Sequence, residues 1–246
     1  MTMSKVKKQI LHFHLKGKRE YQEDTWFISK DENLFIICDG VGGANKGNVA
    51  SNTVTNYIGG QLNSIENIGI ADVTSAIEKS AKKLKEMAID NHGMANMATT
   101  IALLHLSDNN AIVAHVGDSR IYHYDPYADK LSCTKDHSLV QELFDLGVIK
   151  TEEEMSKHPM KNRITRALSA TLNKEAYNEV PTVEKIENIR EGSVFLLCSD
   201  GVTESATNDE ILSLLKQPNL EEAFLNLKQS CIENSKDNST CIIVKV

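Results

Sequence analysis

Strand-like and helix-like segments fall in separate groups along this 246-residue chain, which predicts an α+β fold built on antiparallel sheets. Three short apolar runs strengthen that reading because each stops at an aspartate flanked by glycine. They are Leu34-Phe35-Ile36-Ile37-Cys38 before Asp39-Gly40, residues 111–116 before Gly117-Asp118, and Val194-Phe195-Leu196-Leu197-Cys198 before Ser199-Asp200-Gly201. A fourth aspartate, Asp237, lies just before the closing run Cys241-Ile242-Ile243-Val244. Buried strands that end in carboxylates carry negative charge to one rim of a sheet, and glycine lets the backbone turn or approach a ligand closely there. Several uncompensated carboxylates together are unfavourable unless a cation joins them, so the pattern points to a metal-centred site.

In chain order, strands are expected at about 9–15, 25–29 and 34–38, the first marked by Ile10, His12 and His14 alternating with Leu11, Phe13 and Leu15. After Gly42-Gly43 the pattern turns helical: Val73, Ile77, Ala81, Leu84 and Ala88 form an apolar stripe, with Glu78 and Lys82 paired on the wet side. Residues 101–106 and 111–116 flank Ser107-Asp108-Asn109-Asn110, a hairpin pattern, and 120–124 is expected to continue the meander. A helix over about 138–146 is stopped by Gly147, and Thr151-Glu152-Glu153-Glu154 reads as a capping box. The polar stretch of about 150–180 lacks periodicity and is expected to cover the surface as a flap, within 137–180. A strand at 194–198, helices near 208–216 and 220–233, and a strand at 241–246 complete the chain.

Composition sets the outer bounds. With 41% hydrophobic and 25% charged residues, and no Pro/Ser-rich linker or repeat, residues 1–246 are expected to form one domain. A formal charge of −7 argues against nucleic-acid binding, although Lys5, Lys7, Lys8, Lys16, Lys18 and Arg19 make the N-terminal strip locally basic. No apolar run has the length of a membrane span, and the first residues carry no signal-peptide pattern. Five cysteines, odd in number and without a C-x-x-C pair, suit a reduced, cytoplasmic setting, and the chain is expected to be a monomer.

The candidate ligands Asp39, Asp118, Asp200 and Asp237 are all oxygen donors, which suits the hard cations Mg²⁺ and Mn²⁺. Cys38 and Cys198 sit beside two of them, but strand neighbours point to opposite faces, so both thiols should enter the core. Two ions held about 3.5–4 Å apart activate a bridging water and stabilise in-line displacement at phosphorus. Such a site also needs a guanidinium to hold phosphate by a bidentate contact, and Arg19, just before the second strand, is the candidate.

The ordered set Arg19-x-x-Gln22-Glu23-Asp24, Asp39-Gly40-Val41-Gly42-Gly43, Ala98-Thr99-Thr100, Val116-Gly117-Asp118-Ser119-Arg120, Thr134-Lys135-Asp136-His137-Ser138, Ser199-Asp200-Gly201-Val202 and Asp237-Asn238-Ser239-Thr240 resembles the PP2C (PPM) family of metal-dependent Ser/Thr protein phosphatases, bacterial type. Residues 158–168 also resemble the segment that bacterial members carry near their flap. Each motif alone is weak, since Asp-Gly after an apolar run is most often an ordinary turn; their order along the whole chain carries the signal.

The resemblance implies a sandwich of two antiparallel β-sheets flanked by α-helices, with metals at one end between the sheets. It implies two core Mg²⁺ or Mn²⁺ ions and a possible third. Asp39 would bridge the core pair, the Gly40 carbonyl would bind one ion, and Asp200 and Asp237 would hold the other. Asp118, helped by Asp200, would form the third site, while Glu23 and Asp24 would act from behind, holding metal-bound waters. The implied reaction is hydrolysis of phosphoserine and phosphothreonine in protein substrates of a Ser/Thr kinase, by direct attack of a metal-bridging hydroxide. A small phosphate ester is the alternative substrate, and a catalytically silent binding module the alternative class. The presence of Asp39, Asp200 and Asp237 speaks against the latter.

The chain departs from the family at a few positions. Val41 and Ala44 stand where eukaryotic and many bacterial members, respectively, have a histidine, which leaves water, His137 or His158 as donors to the leaving oxygen. Gln22 replaces the usual Asn, and Ala98 and Ser169 replace glycines.

Overall fold

Two antiparallel sheets face each other, each covered on its outer side by helices, in a computed structural model that describes residues 8–41, 46–171 and 179–246. Along the chain the first strands are β1 (Gln9–Leu15), β2 (Asp24–Ile28) and β3 (Leu34–Val41), followed by helices α1 (Lys46–Leu62) and α2 (Ile70–Asp90). Then come β4 (Ala98–Thr99), β5 (Ile101–Ser107), β6 (Asn110–Val116), β7 (Arg120–Asp125) and β8 (Lys130–Cys133). Short helices α3 (Leu139–Asp145) and α4 (Glu152–Lys157) lead to β9 (Leu168–Ser169), β10 (Thr182–Ile186) and β11 (Val194–Cys198). The chain ends with α5 (Asp200–Thr203), α6 (Asn208–Leu215), α7 (Leu220–Asn234) and β12 (Ser239–Lys245). One sheet runs β1-β12-β11-β7-β8; the other runs β10-β6-β5-β3-β4-β9, with β2 also paired to β3.

Strand alternation sorts the apolar side chains into three layers. Leu34, Ile36 and Cys38 of β3 pack outward against Val54, Ile58 and Ile77 of α1 and α2. Val194, Leu196 and Cys198 of β11 pack outward against Ile211, Leu215 and Phe224 of α6 and α7. Phe35 and Ile37 of β3 instead meet Phe195 and Leu197 of β11 and Ile242 and Val244 of β12 between the sheets. Cys38 and Cys198 are therefore core residues, as strand geometry requires, and none of the five cysteines is disulfide-bonded.

Helix ends follow local chemistry. Ser138 caps α3 by accepting from the Gln141 N–H, and Gly147, at φ +73°, ends the following turn. Thr151 caps α4 by accepting from the Glu154 N–H, but the Glu154 carboxylate reaches the Lys150 N–H rather than that of Thr151. The reciprocal half of the expected capping box is thus displaced by one residue.

One expectation fails. The strand at 120–124 does not continue the β5–β6 meander, because β7 pairs with β11 and β8 in the opposite sheet. Gly117, at φ +102°, takes the chain out of the line of β6, and Ile121 then faces the inter-sheet core while Tyr122 faces α6 and α7. A strand buried on both faces belongs inside a sheet.

The polar stretch after residue 150 contains α4 and the edge strand β9, which pairs with β4, and Ala167, Leu168 and Ala170 are buried. The part of the expected flap at 172–178, like Gly42, Gly43 and Ala44, lies outside the described residues. No helix among the described residues is long and apolar enough to cross a membrane.

Candidate active site

The parity that builds the core also aims the carboxylates. Phe35 and Ile37 face between the sheets, so Asp39, two residues on, shares their face. By the same rule Trp26 and Ile28 carry Asp24 inward from β2, while Leu197 and Ile242 carry Ser199 and Thr240 inward from the facing sheet. Asp24 Oδ2 accepts from Ser199 Oγ at 2.8 Å and Thr240 Oγ1 at 2.6 Å, which ties the two sheets together at this end.

Backbone contact without a Cβ brings the ligand-bearing segments into register. A Cβ on Gly201 would lie 2.0 Å from the Asn238 carbonyl oxygen, so α5 starts directly against the lead-in to β12 and holds Asp200 near Asp237. A Cβ on Gly40 would lie 2.2 Å from the Gly47 carbonyl oxygen, so the end of β3 crosses the start of α1. The Asp39 N–H donates to Thr100 Oγ1 at 3.0 Å, and Thr100 Oγ1 shares a 2.7 Å bond with Ser119 Oγ. The Asp39 backbone is thereby linked to Ser119, the neighbour of Asp118 in the β6–β7 turn, through the side chain of Thr100 between β4 and β5.

Arg19 lies at the mouth with its side chain 56% exposed, ion-paired to Asp237 and within the field of Asp200 and Asp39. Its loop is held by Asn238, whose Nδ2 donates to the Lys16 and Tyr21 carbonyls at 2.8 and 3.0 Å and whose Oδ1 accepts from the Glu23 N–H at 2.8 Å. Glu23 Oε1 accepts from the Gly47 N–H at 3.1 Å, placing a carboxylate at the N-terminus of α1 where the helix dipole favours it. The structure thus gathers Arg19, Glu23, Asp24, Asp39, Gly40, Asp118, Asp200 and Asp237 at one end of the sandwich.

Five aspartates against one guanidinium cannot all ionise cheaply. Asp39 is pushed well above the ordinary carboxylate range by burial and then by Asp24, Asp200, Asp118 and Asp237. Asp118 is pushed well up by burial and then by Asp200 and Asp136, and Asp200 to about 6 by burial and then by Asp237. Burial, outweighing two hydroxyl hydrogen bonds, raises Asp24 to about 7. One oxygen each of Asp24 and Asp200 is buried without a hydrogen-bond partner. Unsatisfied hard oxygens in an electron-rich cleft are what a divalent cation would neutralise, so these residues fit Mg²⁺ or Mn²⁺.

No three His, Cys, Asp or Glu side chains among the described residues are closed around one point as a ready ligand set, and Asp237 is engaged by Arg19. Mg²⁺-type sites need only one or two carboxylates, because carbonyl oxygens and waters complete the shell.

The histidines do not enter the centre. His137 accepts from the Gly117 N–H at Nδ1 and meets Thr182 Oγ1 at Nε2, and burial beside His115 and Arg166 lowers it to about 3. His158 follows α4 and accepts from the Met160 N–H through Nδ1.

Asn238, Ser199, Thr240 and the Arg120–Asp136 pair, bidentate at 2.7 Å twice, brace the segments around the aspartates, a part that the sequence does not assign to them. Their one signal was membership of the same short motifs as the aspartates.

A helix-flanked β-sandwich that brings aspartates and one arginine to an open end is the architecture of the metal-dependent protein phosphatases. The chain belongs to the protein phosphatase 2C family, whose profile matches residues 14–234. It is 29% identical over 237 residues to the serine/threonine phosphatase stp of Listeria monocytogenes, covering 92% of this chain and 91% of that protein. The crystal structure of the Mycobacterium tuberculosis serine/threonine phosphatase PstP/Ppp superposes with a TM-score of 0.85 at 28% identity, covering 97% of this chain and 98% of the other. The catalytic domain of PstP in complex with two manganese ions superposes with a TM-score of 0.82 at 26% identity, covering 97% of each chain.

Proposed function

We propose that this chain is a Mg²⁺- or Mn²⁺-dependent phosphatase that hydrolyses phosphoserine and phosphothreonine in proteins phosphorylated by a Ser/Thr kinase. The observation that carries the reading is the convergence of Asp39, Asp200 and Asp237 from both sheets beside a solvent-facing guanidinium. Asp39 and the Gly40 carbonyl, with Asp200 and Asp237, would hold two ions, and Asp118 with Asp200 a weaker third. Bound there, the ions would neutralise charge at the phosphoryl group and supply hydroxide at neutral pH.

The chain's own groups do the rest. Arg19 exchanges its contact with Asp237 for two phosphate oxygens and orients the phosphoryl group for in-line displacement. Asp24 and Glu23 act from behind the ligands, the first by bracing Ser199 and Thr240, the second by fixing the start of α1. A general acid must carry a proton near the working pH, and a ring held at about 3 does not. Both ring nitrogens of His137 are also engaged, His158 follows α4 with Nδ1 accepting from the Met160 N–H, Val41 offers no proton, and water at the ion site is the donor we assign to the leaving oxygen. The protein is expected to act as a cytoplasmic monomer.

Phosphate release from phosphoserine and phosphothreonine peptides, measured with Mn²⁺ and then with EDTA, tests the reading directly. Turnover should appear with Mn²⁺ and vanish with chelator. Full activity in chelated protein, or hydrolysis of p-nitrophenyl phosphate with no activity on either peptide, would refute it.

A further inference from the structure

We propose that His137 is a positioning residue for Asp118, acting by holding both backbone polar groups of Gly117; this rests on the reading of Asp118 as a cation ligand. The His137 N–H donates to the Gly117 carbonyl at 2.9 Å, and the Gly117 N–H donates to His137 Nδ1 at 3.2 Å. One residue therefore satisfies both main-chain groups of a glycine at φ +102°, a conformation with little intrinsic restoring force. The Asp118 carboxylate takes no hydrogen bond from another side chain among the described residues. Its direction is set by the backbone on either side: Gly117 under His137, and Ser119 under its 2.7 Å bond with Thr100.

The ring is itself fixed on three sides. Because Nδ1 accepts, the proton sits on Nε2, which donates to Thr182 Oγ1 of β10 at 2.9 Å. The ring stacks on His115, with centroids 4.3 Å apart and planes 12° from parallel, and His115 Nε2 is held by the Lys135 carbonyl at 2.8 Å. The His137 carbonyl accepts from the Thr165 N–H at 2.8 Å. His137 thus joins the turn that carries Asp118 to an edge strand of one sheet and to the segment after α4.

The acceptor geometry makes a specific prediction. In His137→Asn the amide oxygen occupies the place of Nδ1, whereas in His137→Gln the polar group lies one bond farther, near the place of Nε2. Calorimetric Mn²⁺ titration of wild type, Asp118→Asn, His137→Asn and His137→Gln separates tight from weak binding. Melting in EDTA identifies which variants are folded. Weak binding should be lost in Asp118→Asn, retained in His137→Asn and reduced about tenfold in His137→Gln, the usual scale for groups that orient a ligand. The tight pair should be unchanged in both His137 variants. Weak binding equal to wild type in His137→Gln, with Asp118→Asn defective, overturns the positioning role alone. Loss of tight and weak binding together in both His137 variants also overturns it, since that is general damage. Wild-type titration by Asp118→Asn would refute the ligand reading and the positioning role with it.

Discussion

At the scale of single residues, crowding of buried aspartates opposes folding when no cation is bound. The folded-state pKa of Asp200, about 6, lies above its unfolded value near 3.8, so between those limits the native state binds more protons. In metal-free protein this group therefore stabilises the fold at low pH and destabilises it as pH rises through about 6. Asp200→Asn in chelator should melt above wild type at about pH 7.5, and the difference should shrink through pH 6 and disappear near pH 4. With Mn²⁺ the order should reverse, because only wild type gains full binding energy, and the variant should lose nearly all turnover. A pH series of melting curves in EDTA and in Mn²⁺ checks each part. Asp39→Asn should behave alike in turnover. Arg19→Ala should raise KM for phosphopeptide more than it weakens Mn²⁺ binding, since a clamp on phosphate contributes ground-state binding. If Arg19 were only an exposed charge, kinetics at moderate salt would barely change.

Where elements meet, small residues set the approach. Gly201 starts α5 against the backbone before β12, and an added Cβ would press on the Asn238 carbonyl at 2.0 Å. Gly201→Ala should cost on the order of 1–3 kcal/mol and weaken tight Mn²⁺ binding, because Asp200 and Asp237 must part. Gly60, exposed near the end of α1 with nothing within 4 Å of its built Cβ, is the internal control. Gly60→Ala should stabilise by about 0.5–1 kcal/mol and leave Mn²⁺ binding alone. Denaturant titrations and calorimetry on the two variants distinguish a close approach from ordinary helix propensity.

For the whole molecule, the site is a clasp between two sheets. Asp39 comes from the sheet covered by α1 and α2, while Asp200 and Asp237 flank strands of the other. A cation bound by both should raise the melting temperature cooperatively, by the equivalent of about 2.7 kcal/mol at a hundredfold excess over Kd. Asp39→Asn should forfeit most of that gain, although it removes a ligand from only one sheet. A Mn²⁺-induced rise equal to wild type in Asp39→Asn would show that the ion binds one sheet alone.

Much of this was legible in the chain itself. The runs ending at Cys38, Val116 and Cys198 have the length and apolarity of buried strands, and period-two alternation decides that Asp39 must point opposite to Cys38. Those are local properties, dictated by neighbours two residues apart, and so a sequence displays them. What the sequence did not display are the pairings of residues far apart along it. The crossing of β7 to the other sheet, the short strands β8, β9 and β10, and the joining of Arg120 to Asp136 each depend on a partner chosen by packing. Asn238 reaches Lys16 and Tyr21 across more than two hundred residues, and His137 meets Gly117 only because the β7–β8 hairpin returns the chain to the end of β6. The sequence by itself determined which residues carry the charge and, for Asp24 and Asp39 on their strands, which face each presents, because a strand's geometry repeats every two residues. Only the tertiary structure decided how the charges are held, because backbone contacts and hydrogen bonds between distant segments exist only once the sheets have closed on each other.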